Sequence, residues 1–592
     1  MNILLLAINS KYIHSNPAVY SIKAYAAANG VNASDIDIAE YTINHRVEEI
    51  VRGVYARKPD VLMVSTYIWN IEYVKAVIKD FNKICPDVPI WLGGPEASYS
   101  AEALMKELSF VKGIMIGEGE AVFAELAKVY NVEFPKLTDI IFEGFKGIMF
   151  RNDKGVVIAT KLPTPLNMDD IPFAYEDLTP FKNRIIYYES SRGCPFGCSY
   201  CLSSVEKSLR FRSLDKVFAE LKHFIDNKVP QVKFVDRTFN AKHDRVIAIL
   251  NFLKENDNGI TNFHFEVSAD LLRDDEIELM STLRPGLIQL EIGVQSTNPE
   301  TLRAINRTAD MDKLRRNVDA VYKMRNIHQH LDLIAGLPYE DLASFKNSFR
   351  DVYSMKPDQL QLGFLKVLSG TQMSAESDEY GIVYSDRTPY EVLQTNWLSY
   401  DDILVLKGVE EMVEIYYNSG QFKFSIEYLE RFFDNPFRLY ERLYKFYETS
   451  GIAEKAHSRM DRYNVLLDFY EDMAVDAQNG IFKELLLFDL YLRDNLKKRP
   501  DFATEISGDK ELVRQFYMAE EQAHKYLSAT GYEGFNSRQL AKMTHLERYE
   551  YNPYTYEKEQ LYILFDYQVR NPLSYEARTV ILKESELKFG NQ

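Results

Sequence analysis

The sequence predicts an α/β protein built as two successive parallel-sheet units followed by a mainly α-helical third. Three observations carry that prediction. Over residues 1–135 short apolar runs alternate with amphipathic helical stretches, and the same alternation recurs six times over residues 181–375. From residue 376 to 592 the hydrophobic period becomes that of helices. The 592 residues suffice for about three or four domains, and 46% hydrophobic with 27% charged residues is ordinary globular composition.

In the first unit the strand candidates are ILLLAI from Ile3, Val61–Thr66, IWLGG from Ile90 and GIMIGEGE from Gly113. Each is an apolar run ending in small or polar residues, as buried parallel strands do. Helices are predicted between them at Pro17–Asn29, Asn44–Arg57 and Ile71–Lys83. In such a sheet ligands collect beyond the carboxyl ends of the strands. Residues 136–180 read as a connector containing a hairpin about Asn152–Gly155, punctuated by Pro163, Pro165 and Pro172. The second unit offers six strands: RIIYYES, QVKFVD, FHFEVSA, LIQLEIGVQS, HLDLIAGLP and QLQLGFLKVL. With helical crossovers these suit an open or complete barrel that works at its strands' C-terminal ends. In the last third, helices are predicted around 388–418, 424–449, 457–476, 480–497 and 509–527, then two short strands in YILFDYQVRNPLSYEARTVIL. Aromatic rows such as EYLERFFDNPFRLYERLYKFY fall at helical spacing and read as core.

Charge and hydropathy exclude several classes. With 70 basic against 87 acidic residues the formal charge is −17, and no basic stripe is evident. That argues against a grip on long nucleic acid by phosphate neutralisation. No apolar run approaches the ~18–20 residues that cross a bilayer. The opening MNILLLAINSKY lacks a basic start and a cleavage site, so it reads as a first strand, and the expectation is a cytoplasmic protein without membrane contact.

The four cysteines are Cys85, Cys194, Cys198 and Cys201, too few for a disulfide framework in so long a chain. Cys85 reads as a buried, inert thiol. The other three form C-x3-C-x2-C directly after RIIYYES. Three thiolates on one short loop can hold three corners of an iron–sulfur cube and leave the fourth iron open. Gly193 and Gly197 let that loop turn tightly. The bland alternative is a zinc knuckle or an incidental cluster, although zinc commonly takes four ligands in pairs.

This cysteine spacing after the first strand of a six-strand series resembles the radical S-adenosylmethionine (radical SAM) superfamily. The resemblance implies a 4Fe–4S cluster on Cys194, Cys198 and Cys201 whose open iron chelates SAM. Tyr200 matches the aromatic position that meets adenine. FVDRTF resembles the F-x-D-D-x-F variant of the family's second-strand motif, by which Asp236 would hold the SAM amino group; Arg237 departs from that pattern. FEVSADLL makes Glu266 and Ser268 candidates for SAM carboxylate or ribose contacts. LEIGVQS, with Glu291 and Gln295, and DLIAGLPYE, with Gly336, resemble the later strand motifs. Taken singly, such carboxylates at strand ends are often only structural.

The loops of the first unit extend the resemblance to the cobalamin-binding class, in which a flavodoxin-like (Rossmann-like) domain precedes a partial (β/α)6 radical SAM barrel. Alone, GG and GEGE are ordinary turn signals. In this order Gly93, Gly94, Pro95, Glu118, Gly119 and Glu120 match the family's cobalamin-binding segments, and Ser65 and Thr66 match hydroxyl residues lining its nucleotide-tail slot. The D-x-H-x-x-G motif that ligates cobalt is missing, and the loop residue His14 reads as solvated or capping. The implied state is base-off cobalamin without a histidine ligand. Residues 376–592 resemble a helical extension of a subset of these proteins, expected to shape the substrate pocket.

The resemblance therefore implies a cobalamin-dependent radical SAM C-methyltransferase acting on an unactivated carbon of a small molecule or peptide, with flavodoxin or ferredoxin as reductant. The rival readings are a radical rearrangement, cyclisation or tetrapyrrole-modifying enzyme, since DLIAGLP is also similar to the coproporphyrinogen-oxidase-like branch. A corrinoid or haem carrier without turnover ranks last, because a carrier has no need of the three-cysteine loop.

Overall fold

The computed structural model describes residues 1–133, 140–205, 208–453, 455–474, 480–503, 510–527 and 531–587. The expected boundary at 135/136 and the ends of the helices expected at 457–476 and 509–527 lie partly outside the described residues. Strands β1 (Ile3–Asn9), β2 (Ile36–Thr42), β3 (Val61–Ser65), β4 (Ile90–Gly93), β5 (Gly113–Met115), β6 (Ile148–Arg151) and β7 (Val157–Ala159) form one sheet in the order β2-β1-β3-β4-β5-β6-β7. β1 is buried along its whole length. Its side chains alternate between two cores, Leu4, Leu6 and Ile8 on one face and Ile3, Leu5 and Ala7 on the other. That double coverage is why it reads as a continuous apolar run. The helix Ile71–Ile84 buries Ile71, Val74, Val77, Ile78 and Phe81, the three-and-four spacing of a single face.

Two features differ from the sequence reading. β2, with the acid-bearing sequence IDIAEYT, was not expected; it pairs parallel with β1 at the edge of the sheet, where one side of a strand tolerates polar residues. The hairpin expected within the 136–180 connector exists, but it is more than a connector. β6 pairs antiparallel with β5 and β7 with β6, so the hairpin extends the first sheet.

All six strands expected in the second unit form: β8 (Ile186–Tyr188), β11 (Gln231–Phe234), β12 (Asn262–Val267), β13 (Ile288–Gln295), β14 (His328–Ala335) and β15 (Gln359–Phe364), ordered β15-β14-β13-β12-β11-β8. Between β8 and β11 the two-residue strands β9 (Ser191–Arg192) and β10 (Arg210–Phe211) pair antiparallel. Along β13, Ile288, Leu290, Ile292 and Val294 are buried, while Gln289, Glu291, Gly293 and Gln295 share the opposite, half-buried face. A parallel sheet covered on both faces is ordinarily apolar on both. The polar face therefore marks where the sheet meets something other than hydrocarbon.

The described chain divides into two compact units, one of Met1–Met324, Ile334–Asp341 and Gly363–Tyr400, the other of Arg325–Leu333, Leu342–Leu362 and Asp401–Gln592. In the first unit, residues 388–399 are not the helix expected there. Val383–Tyr384 pairs with Val392–Gln394, and the helix begins at Tyr400. Pro389 and Pro-flanking turns keep the chain out of helical geometry before it. In the second unit, the helix expected over 424–449 is two, Lys423–Glu430 and Pro436–Thr449. Asn435 caps the second through the Phe437 amide at 2.9 Å. The aromatic rows are core as expected, with Phe437, Tyr440 and Tyr447 buried. The C-terminal sheet has three antiparallel strands rather than two: Thr544–Tyr551, Lys558–Arg570 and Ala577–Leu582. The first of these, THLERYEY, hides behind its charged alternate residues. No helix among the described residues is long and apolar enough to cross a membrane.

Candidate cofactor site

Cys194, Cys198 and Cys201 occupy the loop that β9 and β10 bracket. Gly193 leads into it at φ 95°, and a Cβ there would stand 2.3 Å from the Ser208 carbonyl oxygen. Only glycine permits both that dihedral and that approach. The loop is pinned through its backbone: Ser199 N donates to Ile305 O at 3.0 Å, Met373 N to Ser199 O at 2.8 Å and Cys201 N to Cys198 O at 3.2 Å. Burial pushes the Cys198 thiol up, and the Arg307 guanidinium, 3.9 Å from Sγ, opposes it. Cys194 Sγ lies 3.5 Å from Thr238 Oγ1. All four cysteines are free thiols. Among the described residues no three His, Cys, Asp or Glu side chains converge on a single-ion site. A cube presents separate irons, so its three thiolates stand apart rather than converge. Tyr200 is half-buried, and desolvation raises its phenol well above the ordinary range.

Glu266, Glu291 and Gln295 share the half-buried polar face of the second sheet, and several of the strand-end residues are already engaged. Asp236 is buried, and its carboxylate accepts from Ser190 N, Ser190 Oγ and Ser191 Oγ, each at 2.7 Å. Burial pushes its pKa up against those hydrogen bonds. These contacts make Asp236 a brace on the stem of the cysteine loop. Glu266 and Glu291 are register neighbours across β12 and β13. Glu291 pairs with Lys233 Nζ and His264 Nε2, each at 2.9 Å, and although burial opposes it, these two partners hold its pKa well below the usual range. Glu266 is half-buried with Arg237 at 3.9 Å. Ser268 donates to Asp270 at 2.7 Å. Gln295, at φ 72°, folds over Gly293, leaving its Oε1 buried without a hydrogen-bond partner. Gly336 takes φ 90°, where a Cβ would strike Val392 at 2.6 Å.

In the first sheet the expected cobalamin residues divide. Thr66 is fully buried; its hydroxyl donates to Gly93 O at 2.8 Å and accepts from Ala97 N at 3.0 Å. It therefore ties β3 to the β4 loop. Ser65 accepts from Asn16 Nδ2 at 3.0 Å. Gly94 has φ 104°, and a Cβ on it would lie 2.4 Å from Thr66 O; one on Gly93 would meet the Met115 methyl at 3.0 Å. Pro95 opens the short helix Pro95–Tyr99. Gly119 starts the helix Gly119–Glu133. Gly117, at φ 81°, has open space above it.

Glu118 and Glu120 are not free acceptors. Glu120 binds Arg192 Nη2 at 2.8 Å and accepts from Ser21 Oγ at 3.1 Å. Glu118 pairs with Arg192 at 3.3 Å and with Arg210. Arg192 also holds Glu189 at 2.7 Å. Burial raises the Glu120 pKa, but Arg192 outweighs it and the net shift is downward. The GEGE carboxylates thus clamp the two strands that bracket the cysteine loop. Sequence reading missed Arg192 and Arg210. Arg192 stands two residues before Cys194, a signal in plain view, whereas Arg307 has none because the fold alone carries it to Cys198. His14 is neither solvated nor capping: its ring is half-buried with Tyr187 Oη 2.6 Å from Nδ1, and burial lowers its pKa.

A cavity of about 560 Å³ joins the two sheets' loops within the first unit. Tyr67, Trp69 and Pro95 line it from the first sheet, and Ser191, Gly193 and Arg237 from the cysteine-loop stem and β11. Tyr67 and Trp69 stack with centroids 4.3 Å apart. The residues fit the groups that the sequence implies. Three thiols sit on one loop, a buried Gln295 oxygen is unpartnered, and Gly193 at the stem of that loop lines the cavity.

Residues 3–127 match the family model of a B12 binding domain, residues 188–352 that of the radical SAM superfamily, and residues 378–565 a family described as a protein of unknown function (DUF4080). The uncharacterized methyltransferase PH0819 of Pyrococcus horikoshii is 24% identical over 374 residues, covering 61% of this chain and 77% of that protein. The cobalamin-dependent radical SAM methyltransferase TokK of Streptomyces tokunonensis is 26% identical over 319 residues, covering 51% of this chain and 45% of that protein. The chain thus spans about half the length of TokK. The solved structure of the cobalamin-dependent S-adenosylmethionine radical enzyme OxsB superposes with a TM-score of 0.56 at 14% identity, covering 83% of each chain, which shows a shared fold. The chain thus carries a B12 binding domain followed by a radical SAM domain, the domain pairing of cobalamin-binding radical SAM proteins.

Proposed function

We propose that the protein is a cobalamin-dependent C-methyltransferase that acts on an unactivated carbon of a small molecule or peptide. The observation that carries the reading is the shared cavity, where the loops after β3 and β4 of the B12 binding domain face the stem of the cysteine loop. A radical and a methyl donor must meet the same carbon, and a cavity bordered by both sets of loops provides for that. The methyltransferase names of the relatives PH0819 and TokK support it.

In this reading Cys194, Cys198 and Cys201 ligate the cluster. Arg307 favours the thiolate of Cys198 by charge. Tyr200, Glu266, Ser268, Glu291, Gln295 and Gly336 border SAM, with the Gln295 oxygen supplying an unused acceptor. Asp236 holds the SAM amino group while fixing the loop stem through Ser190 and Ser191. Gly93, Gly94, Pro95, Ser65, Thr66 and Gly119 shape the bed for a base-off corrinoid, and Glu118 and Glu120 hold that bed to the cluster loop. When bound, the cluster supplies the electron that cleaves SAM to a 5′-deoxyadenosyl radical and cobalamin carries the methyl group. A flavodoxin or ferredoxin in the cytoplasm completes the proposal.

The test is on anaerobically reconstituted protein given hydroxocobalamin and desalted. About one cobalt and about four irons are expected, and turnover should yield both S-adenosylhomocysteine and 5′-deoxyadenosine. 5′-Deoxyadenosine alone would refute methyl transfer in favour of another radical reaction.

A further inference from the structure

The carboxylates at the reaction cavity are spoken for by the protein's own donors. Glu189 is held by Arg192 at 2.7 and 2.9 Å. Glu96 accepts from the Tyr390 hydroxyl. The two remaining charged side chains on its lining, Arg237 and Lys366, are cations with donors to spare. Arg237 is 55% exposed and reaches only Glu266 Oε2, at 3.9 Å, beyond hydrogen-bond distance. Lys366 is exposed on the cavity wall with no carboxylate partner among the described residues. The two lie on different elements, Arg237 just after β11 and Lys366 just after β15, so the fold rather than local sequence brings them to one space.

In a chain of net charge −17, two under-used cations beside the cluster-loop stem form an acceptor-seeking surface. Arg237 also stands where the related F-x-D-D-x-F motif has an acid, so the charge at this wall is reversed. The corrin's amide side chains are neutral, so within cobalamin only the phosphodiester of the nucleotide tail could draw these two cations.

We propose that Arg237 and Lys366 bind an anionic group, a carboxylate or phosphate, of the methyl-accepting substrate. The assignment rests on the cavity being the reaction cavity. Such an anion has three sources here, the substrate, the methionine end of SAM and the nucleotide-tail phosphate of cobalamin, and the experiment separates them by reading SAM and cobalamin affinity on every variant. Holoenzyme carrying cluster and cobalamin is titrated with phenyl phosphate and benzoate, and with benzyl alcohol as the neutral counterpart. Arg237→Gln and Lys366→Gln are compared with the charge-retaining Arg237→Lys and Lys366→Arg, and SAM and cobalamin affinity are measured on each.

The expected result is saturable, salt-sensitive binding of the two anions and none of benzyl alcohol. Anion affinity should fall about tenfold in each Gln variant and recover in the charge-retaining ones, with SAM and cobalamin affinity within about twofold of wild type. Loss of SAM or cobalamin affinity with anion binding intact would assign these cations to the SAM carboxylate or the cobalamin phosphate and overturn the proposal. So would equal binding of the anions and the alcohol, or no anion binding. Wild-type holoenzyme that fails to cleave SAM would instead count against the radical SAM reading of the site.

Discussion

Replacing Glu120 by Gln tests whether the GEGE carboxylates grip cobalamin or brace the cluster loop. Glu120 is buried, with Arg192 Nη2 at 2.8 Å and Ser21 Oγ at 3.1 Å. The amide keeps the shape and the Ser21 contact but removes the charge facing a buried guanidinium. Arg192 retains Glu189 at 2.7 Å and Glu118 at 3.3 Å, so it is not left bare and the full penalty of an orphaned buried charge does not apply. What is lost is one charge-assisted hydrogen bond, about 2 kcal/mol, or about 30-fold in the folding equilibrium. The assay is equilibrium unfolding of the apoprotein, followed through the transition of the first unit, across pH. Glu120 lies below its ordinary value of 4.5 when folded, so its stabilisation is complete above about 4.5 and is lost as pH falls through the lower folded value. The gap between wild type and variant should therefore be full at pH 7 and shrink in acid. Cobalamin affinity should stay near wild type while SAM cleavage drops, because the strands that bracket the cysteines have lost a tie. Unchanged stability with weakened cobalamin binding would refute the brace and restore Glu120 as a corrinoid contact.

Cys198→Ala should remove most of the bound iron and abolish 5′-deoxyadenosine formation; undiminished 5′-deoxyadenosine would sink the cluster assignment. Gly94→Val meets both a φ of 104° and a Thr66 oxygen 2.4 Å from the new Cβ, so a loss of about 2–5 kcal/mol and weaker corrinoid uptake are expected in melting and dialysis measurements. Unaltered affinity would make that loop a turn and nothing more. In the second unit Asp489 is buried, and although Ser425 and Phe424 donate to it, burial pushes its pKa up to about 7 from 3.8. The folded state then holds a proton that the unfolded state has released, so that unit should lose stability as pH rises from about 4 to about 7. Asp489→Asn should flatten that slope, leaving a residue from Glu484, which burial likewise raises to about 7; an unchanged slope refutes the assignment.

Local pattern alone was enough to read the two α/β units, the six strands of the second sheet, and the C-x3-C-x2-C triad on which the radical SAM resemblance rests. These are local signals. A strand covered on both faces must be apolar throughout, and three thiolates for one cluster fit on one loop of eight residues, Cys194 to Cys201. Where a strand lies at an edge or carries charges on alternate positions, as β2 and Thr544–Tyr551 do, the local pattern resembles a polar helix or loop, and only the pairing partner reveals it. The tertiary structure alone decided what each polar site residue does. A carboxylate's role depends on which cation the fold sets beside it. Glu118 and Glu120 meet Arg192 and Arg210 from residues about 70–90 positions away, Asp236 meets the serines of the loop stem, and Arg307 meets Cys198 across 109 residues. Sequence spacing carries no record of such encounters, because the strands and helices that bring the partners together do so through burial elsewhere.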